Sequence, residues 1–182
     1  MRLSPFCLVA CILAAAAPAS AAGLKAGVHA GYDDVKGGGG SGRNLGFDIG
    51  YDAPLVPLAF LGAMATYSTS TAKSCQALSV TDDLCTRTDD EYGAFGRIGA
   101  SLPFGPRLYA LGGGSRLRIR QTLTSSTTLI ADDRDWRTGY MIGAGAEMPF
   151  AVFGYGKLEY RHADYNRGIS RDQVLLGVGI EF

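Results

Sequence analysis

The sequence lacks an excess of either charge, since 17 basic and 17 acidic side chains give a formal net charge of zero. A balanced chain has no extended basic surface of the kind that holds nucleic acid, so we expect no nucleic-acid partner. After the first two dozen residues it also lacks a run of about eighteen apolar residues, which a membrane-spanning helix requires. The sequence also lacks the D-x-D-x-D-G spacing of a calcium-binding loop and the lysine-Ser/Thr ending of a phosphate-binding loop. We therefore expect no metal and no cofactor.

Cysteine is scarce, and two of the four cysteines lie in a leader. Residues 1–21 carry one arginine, an apolar run and the small-residue exit "ASA", which predicts a secretory signal peptide that is cleaved after residue 21 or 22. The mature chain, residues 22–182, is then expected to form one domain in an oxidising compartment. There we predict that Cys75 and Cys85 form a local disulfide, because they lack the C-x-x-C spacing of a redox pair.

No stretch shows the apolar stripe and capping residues of an amphipathic helix. Instead, apolar residues alternate with polar or small residues in about eight segments of the mature chain. These segments are approximately residues 23–32, 45–51, 58–68, 92–102, 107–121, 136–148, 152–163 and 169–182. The register of residues 58–68 stays open, because both faces of that segment are apolar. The final segment has one apolar face, formed by Val174, Leu176, Val178, Ile180 and Phe182.

The apolar faces point inward in a soluble, lipocalin-like barrel and toward lipid in a membrane barrel. The linkers favour the membrane barrel because short ones such as "PFGP" alternate with long ones, as in a barrel with tight turns on one side of a bilayer. Aromatic residues of the apolar faces also collect at the two ends of the segments. We therefore predict an all-β, eight-stranded antiparallel transmembrane up-and-down barrel, with both termini in the periplasm. Its expected aromatic girdles are Tyr32, Tyr92 and Trp136 at the long-loop end and Tyr51, Tyr109 and Phe182 at the short-turn end.

The polar faces of the segments are predicted to fill the lumen, which eight strands leave just wide enough for side chains. Buried charges must be paired, so we expect a network of ion pairs that plugs the barrel. The alternative is a small ion-conducting channel, which the basic excess of the predicted lining would make selective for anions. Besides His29, the predicted lining is Lys25, Asp48, Arg97, Arg116, Arg118, Glu147, Lys157, Glu159, Arg161 and Glu181.

Two motifs near the C-terminus carry a family resemblance. The ending "VLLGVGIEF" resembles the strand by which Gram-negative outer-membrane proteins are handed to the barrel-assembly machinery. The stretch "GKLEYRHADYNRG" resembles the penultimate strand and loop of small alphaproteobacterial outer-membrane barrels of the opacity or porin-family type, in which an aromatic usually takes the place of His162. The resemblance implies an OmpA/OmpX-like barrel, integral to the outer membrane and surrounded by lipid and lipopolysaccharide. That family includes adhesins, complement- and haem-binding proteins and proteins without assigned activity.

The same stretch faintly resembles the His-x-Ser-Asn run of lipid A deacylases. Asp164 stands where the nucleophilic serine would be, and a carboxylate cannot be activated as a hydroxyl can. We therefore expect no enzyme. The expected role is structural and adhesive, with the disulfide-stapled second long loop, residues 69–91, as the contact surface for an external ligand.

Overall fold

The computed structural model describes residues 23–56, 58–77, 82–102, 105–125, 128–150 and 153–182, so the predicted leader lies outside the described residues. No helix in these ranges is long and apolar enough to cross a membrane. The described chain forms strands: β1 Gly23–Lys36, β2 Gly40–Val56, β3 Ala59–Ser70, β4 Lys73–Ala77, β5 Asp82–Ser101, β6 Arg107–Ser125, β7 Thr128–Pro149, β8 Gly154–Tyr165 and β9 Ile169–Glu181.

Eight of the strands close into an antiparallel barrel. Consecutive strands of the ring pair with each other, β1 also pairs with β9, and β3 pairs with β5 past the intervening hairpin strand β4. β4 pairs only with β5 and stands outside the ring. The predicted up-and-down barrel is thus confirmed, with a ninth short strand that the alternation did not reveal. Closure leaves the barrel wall without an unpaired edge.

The strands on one side of the barrel are much longer than a membrane crossing needs. β5, β6 and β7 have 20, 19 and 22 residues, whereas a tilted transmembrane strand needs about 9–11. Much of the predicted long loops at residues 69–91 and about 122–135 is therefore strand, and that part of the prediction is wrong. These stretches are rich in threonine, which suits a pleated, half-exposed sheet.

The sequence left open which face of β3 points into the barrel, and the burial of its side chains decides this. Phe60 and Met64 point inward, while Leu61 is exposed and Tyr67 lies on the outer surface. Apolar residues therefore fill one side of the barrel interior, and charged residues from β1, β2, β8 and β9 fill much of the other. The apolar cluster comprises Phe60, Met64, Phe95, Tyr109, Leu111, Leu117, Ile119, Met141, Ala163 and Tyr165.

This interior corrects the predicted orientation of β6. Tyr109 was predicted in the outer girdle, but only 5% of its surface is exposed, and Leu117 is fully buried. Because successive side chains point to opposite faces, Arg116 and Arg118 face outward and do not line the lumen. The apolar face of β6 packs into the core, and the assumption that every apolar face meets lipid fails for this strand.

Aromatic side chains form a belt on the outer surface near the long-loop end of the barrel. Ring centroids lie 5.5 Å apart for Phe47 and Tyr67, 5.0 Å for Tyr67 and Tyr92, and 5.8 Å for Tyr92 and Trp136. We call these four residues the aromatic belt. At the opposite, short-turn end, Phe153 packs against Phe182 at 6.4 Å. The outward face of β9 is exposed along its length at Val174, Leu176, Val178 and Ile180, as is Phe182 just after it.

Candidate functional site

The lumen holds three groups of ion pairs, the first near the short-turn end. Lys25 Nζ contacts Glu147 and lies 3.1 Å from Asp52 Oδ2. Arg97 Nη2 lies 2.8 Å from Glu147 Oε1, and its guanidinium stacks 4.0 Å from the centre of the Tyr109 ring. All of these charged side chains are buried. We call Lys25, Asp52, Arg97 and Glu147 the short-turn cluster.

Half-way along the lumen lies the central cluster, which consists of His29, Asp48, Lys157, Glu159 and Arg161. The carboxylate of Asp48 contacts Lys157, lies 3.1 Å from Arg161 Nη2 and 2.9 Å from His29 Nδ1. Arg161 also contacts Glu159 through its Nε. One aspartate therefore accepts contacts from three basic side chains, which is how a buried carboxylate is kept charged.

The third group, the long-loop cluster, lies nearer the long-loop end and was missed from the sequence. Arg171 contacts Asp33 and lies 2.7 Å from Glu91 Oε2. The hydroxyl of Tyr165 donates to Glu91 Oε1 at 2.6 Å, and Gln173 Nε2 donates to Glu91 Oε2 at 3.3 Å. Asp33 and Glu91 were assigned to loops, although they continue the inward parity of their strands, and Arg171 lay within the predicted segment 169–182 but was left out of the predicted lining.

The predicted lumen residues thus divide into three sets. Glu181 lies at the short-turn mouth, where it is partly exposed and bonds to Arg107 Nη1 at 2.7 Å, while Arg116 and Arg118 lie outside. The other eight, His29 included, are buried in the lumen. With the residues that the sequence missed, the buried charges of the described chain are five basic and six acidic, so the predicted basic excess is wrong. They are Lys25, Arg97, Lys157, Arg161 and Arg171 against Asp33, Asp48, Asp52, Glu91, Glu147 and Glu159.

Beyond the aromatic belt, β4 and the distal halves of β5, β6 and β7 continue as a sheet with two open edges. We call this the projecting sheet. One edge is β4, which carries the predicted disulfide: Cys75 pairs with Cys85 on β5 and bonds to it. The other edge is residues 128–138 of β7, which pair with β6 on one side and with no other described strand. The acidic and basic side chains of this edge include Asp132 and Arg134, which contact each other at 3.5 Å.

On the outer surface of β8 and β9, the residue considered for catalysis is engaged in an ion-pair cluster. His162 Nδ1 lies 2.7 Å from Asp172 Oδ1, which also accepts from the Tyr160 hydroxyl at 2.7 Å, and Lys36 donates to the other oxygen at 3.0 Å. The hydrogen bond from His162, followed by those from Tyr160 and Lys36, holds the pKa of Asp172 well below its usual value. Within the described ranges, no serine or threonine hydroxyl hydrogen-bonds to His162.

Residues 5–182 match the family of outer membrane protein beta-barrel domains. The chain belongs to this family. Its barrel is therefore an integral outer-membrane structure, and the lipid and lipopolysaccharide of that membrane surround it. No curated protein matches the chain by sequence.

Solved structures of outer-membrane barrels share this fold at low sequence identity. Ail, the attachment invasion locus protein of Yersinia pestis in complex with the heparin analogue sucrose octasulfate, is 16% identical with a TM-score of 0.56, and the match covers 87% of this chain and 99% of that one. The N-terminal β-barrel domain of Pseudomonas aeruginosa OprF is 17% identical with a TM-score of 0.54, over 88% and 99%. Neisserial surface protein A is 13% identical with a TM-score of 0.52, over 91% and 100%. At these identities the likeness extends to the fold alone.

Proposed function

We propose that this outer-membrane barrel is an adhesion-type surface protein with a plugged lumen, and that its projecting sheet binds an extended segment of an external protein. The proposal places the long-loop end outside the cell and both termini in the periplasm. The observation that carries it is the open edge of β7. An unpaired strand edge presents a row of backbone N–H and C=O groups, to which an incoming segment can add as a further strand.

The charges along the edge of β7 support a selective contact over self-association. Asp132, Asp133, Arg134 and Asp135 follow one another there, and charged side chains on an edge oppose pairing with a second copy of the same strand. Disulfide-stapled β4 forms the other edge of the sheet but is only five residues long. Ail, which has a similar fold, is named an attachment invasion locus protein, and this name agrees with an attachment role.

The remaining alternatives have weaker support. The lumen has fully buried arginines at three levels, Arg97, Arg161 and Arg171, which supports a plug over an ion path. His162 is engaged with the carboxylate of Asp172, which supports a structural role for this residue over a catalytic one. We also propose that the barrel-assembly machinery recognises β9, whose outward apolar face resembles the signal of that pathway.

Shortening the β6–β7 hairpin tests the proposal. In this variant Asn-Gly replaces residues 121–133 and joins Arg120 to Arg134, which already pair across the two strands. Bacteria of a non-adherent Gram-negative strain would display the variant or the wild type, and cells attached to an epithelial monolayer would be counted. We expect attachment to fall at least about tenfold, to the level of the empty strain, because most of the edge is gone.

The control variant lacks residues 74–86, which removes most of β4, the first five residues of β5 and the disulfide but leaves the edge of β7. It should retain attachment, and both variants should keep the gel shift between unheated and boiled samples that marks a folded barrel. If only the 74–86 deletion abolishes attachment, the contact lies on the disulfide hairpin and the edge of β7 is not the site. Attachment by both variants at the wild-type level would overturn adhesion by the projecting sheet.

A further inference from the structure

The outward face of β5, β6 and β7 carries five arginines of which one is unpaired. Carboxylates of Asp89, Asp90 and Asp132 lie within ion-pair distance of four of them. The exception among the described residues is Arg116, which is exposed. The five are Arg87, Arg116, Arg118, Arg120 and Arg134.

Arg116 lies at the height of the aromatic belt. It pairs with Tyr92 across β5 and β6, and its guanidinium lies 5.9 Å from the centre of the Trp136 ring. Arg118, two residues further along the strand, lies 5.5 Å from the same ring. Both guanidinium groups therefore lie against one indole side chain, which restricts their rotamers.

Arg118 keeps donors available despite its ion pair. One hydrogen bond links Arg118 Nη1 to Asp90 Oδ2 at 3.2 Å, and the hydroxyl of Tyr67 donates to the other oxygen of Asp90 at 3.0 Å. A guanidinium group has five N–H donors. The hydrogen bond to Asp90 uses one of the five donors of Arg118, and no carboxylate of the described chain contacts Arg116.

The surroundings of an aromatic belt define the missing partner. Such a belt lies at the depth of the lipid headgroups, and an arginine there extends toward the polar side of the interface. The anions available at that depth are phosphate groups of lipids. A planar guanidinium group matches the oxygens of a phosphate and binds them through charge-assisted hydrogen bonds.

We propose that Arg116 and Arg118, held against Trp136, bind a phosphate group of a phosphorylated glycolipid in the outer leaflet. Trp136 belongs to the edge of β7, but this site uses its ring and not the backbone groups of the edge, so it does not depend on the adhesive role. On the β8–β9 side of the barrel, Asp172 contacts both Lys36 and His162. The site therefore binds lipid on one side of the barrel, on the outward face of β6.

Fluorescence of Trp136 tests the proposal, because it is the sole tryptophan of the sequence and contacts both arginines. Purified protein in phosphatidylcholine nanodiscs would be titrated with diphosphorylated lipid A, with lipid A stripped of its phosphates, and with inorganic phosphate. The expected result is a saturable change in emission with diphosphorylated lipid A. In the R116Q/R118Q variant the apparent affinity should fall at least about tenfold.

Arg43→Gln is the matched control, because Arg43 is also exposed and outward but lies on β2 beside Tyr32, away from Trp136. It should titrate like the wild type, and the gel shift should show that all variants are folded. The proposal is overturned if R116Q/R118Q titrates like the wild type, if Arg43→Gln weakens binding equally, or if stripped lipid A acts as well as the phosphorylated form. An equal response to inorganic phosphate at the same concentration would make this a free-phosphate site and overturn the assignment to lipid.

Discussion

Replacing Arg161 with methionine is expected to lower the free energy of unfolding of the barrel by about 3–5 kcal/mol. Arg161 contacts Glu159 and Asp48, and its Nη1 donates to Thr66 Oγ1 at 3.3 Å. Methionine has a similar length but no charge, so it would leave two buried carboxylates with fewer partners. Urea unfolding in lipid vesicles, followed by the emission of Trp136, measures the loss.

The matched control for this prediction is Arg134→Met. Arg134 is exposed and makes one ion pair at 3.5 Å in the described chain, so its loss should change stability by less than about 0.5 kcal/mol. If Arg161→Met does not fold, adding Glu159→Gln should restore part of the yield of folded protein, because it removes one of the buried carboxylates that lost their arginine partner. If the free energy of unfolding of Arg161→Met lies within about 1 kcal/mol of the wild-type value, the central cluster contributes little to stability.

The second large effect is expected for Gly145→Ala, at about 1–3 kcal/mol of lost stability. A methyl group on Gly145 would lie 2.5 Å from Cζ of Tyr109 and 2.9 Å from the backbone oxygen of Leu158. Tyr109 would have to move, and its hydroxyl donates a hydrogen bond to the buried Glu159. Overpacking at one glycine therefore disturbs the ring that stacks on Arg97 and the central cluster together.

Gly112→Ala provides the control for the glycine prediction. Gly112 faces outward on β6, and an added methyl group would meet its nearest atom at 4.0 Å. We expect no loss and a gain of up to about 1 kcal/mol, because alanine reduces the backbone freedom of the unfolded chain. The same urea unfolding compares the two variants. Equal stabilities would mean that Tyr109 adapts freely and that the interior of the barrel is loosely packed.

The barrel was predictable because two-residue alternation, linker lengths and aromatic ends all indicate the same fold. Lys25, Asp48, Lys157, Glu159 and Arg161 were placed correctly because each lies on the polar face of a strand whose other face is apolar. Arg116 and Arg118 were misplaced because alternation distinguishes the two faces of a strand without saying which is inside. On β6 the apolar face, with Leu117 and Ile119, packs into the core, and this depends on side chains from strands that do not pair with β6, such as Tyr165 of β8.

The prediction from sequence also failed at the ends of the strands. Asp33 and Glu91 continue the inward parity of β1 and β5, but polar neighbours made these stretches resemble loops, whereas Arg171 lay within the predicted segment 169–182 and was not counted in the lining. Extending each parity by a few residues would have identified the long-loop cluster. The sharing of Asp48 among His29, Lys157 and Arg161 could not be predicted, because it depends on how four strands are staggered around the barrel.

Conductance in a planar lipid bilayer tests the central claim most directly, namely that three levels of buried ion pairs close the lumen. Refolded protein would be inserted, with folding verified by the gel shift between unheated and boiled samples. The account predicts no reproducible current steps for the wild type or for Arg118→Gln, whose side chain lies outside the barrel. Reproducible steps whose size changes in Glu147→Gln and not in Arg118→Gln would show that ions pass the short-turn cluster, and would contradict the account.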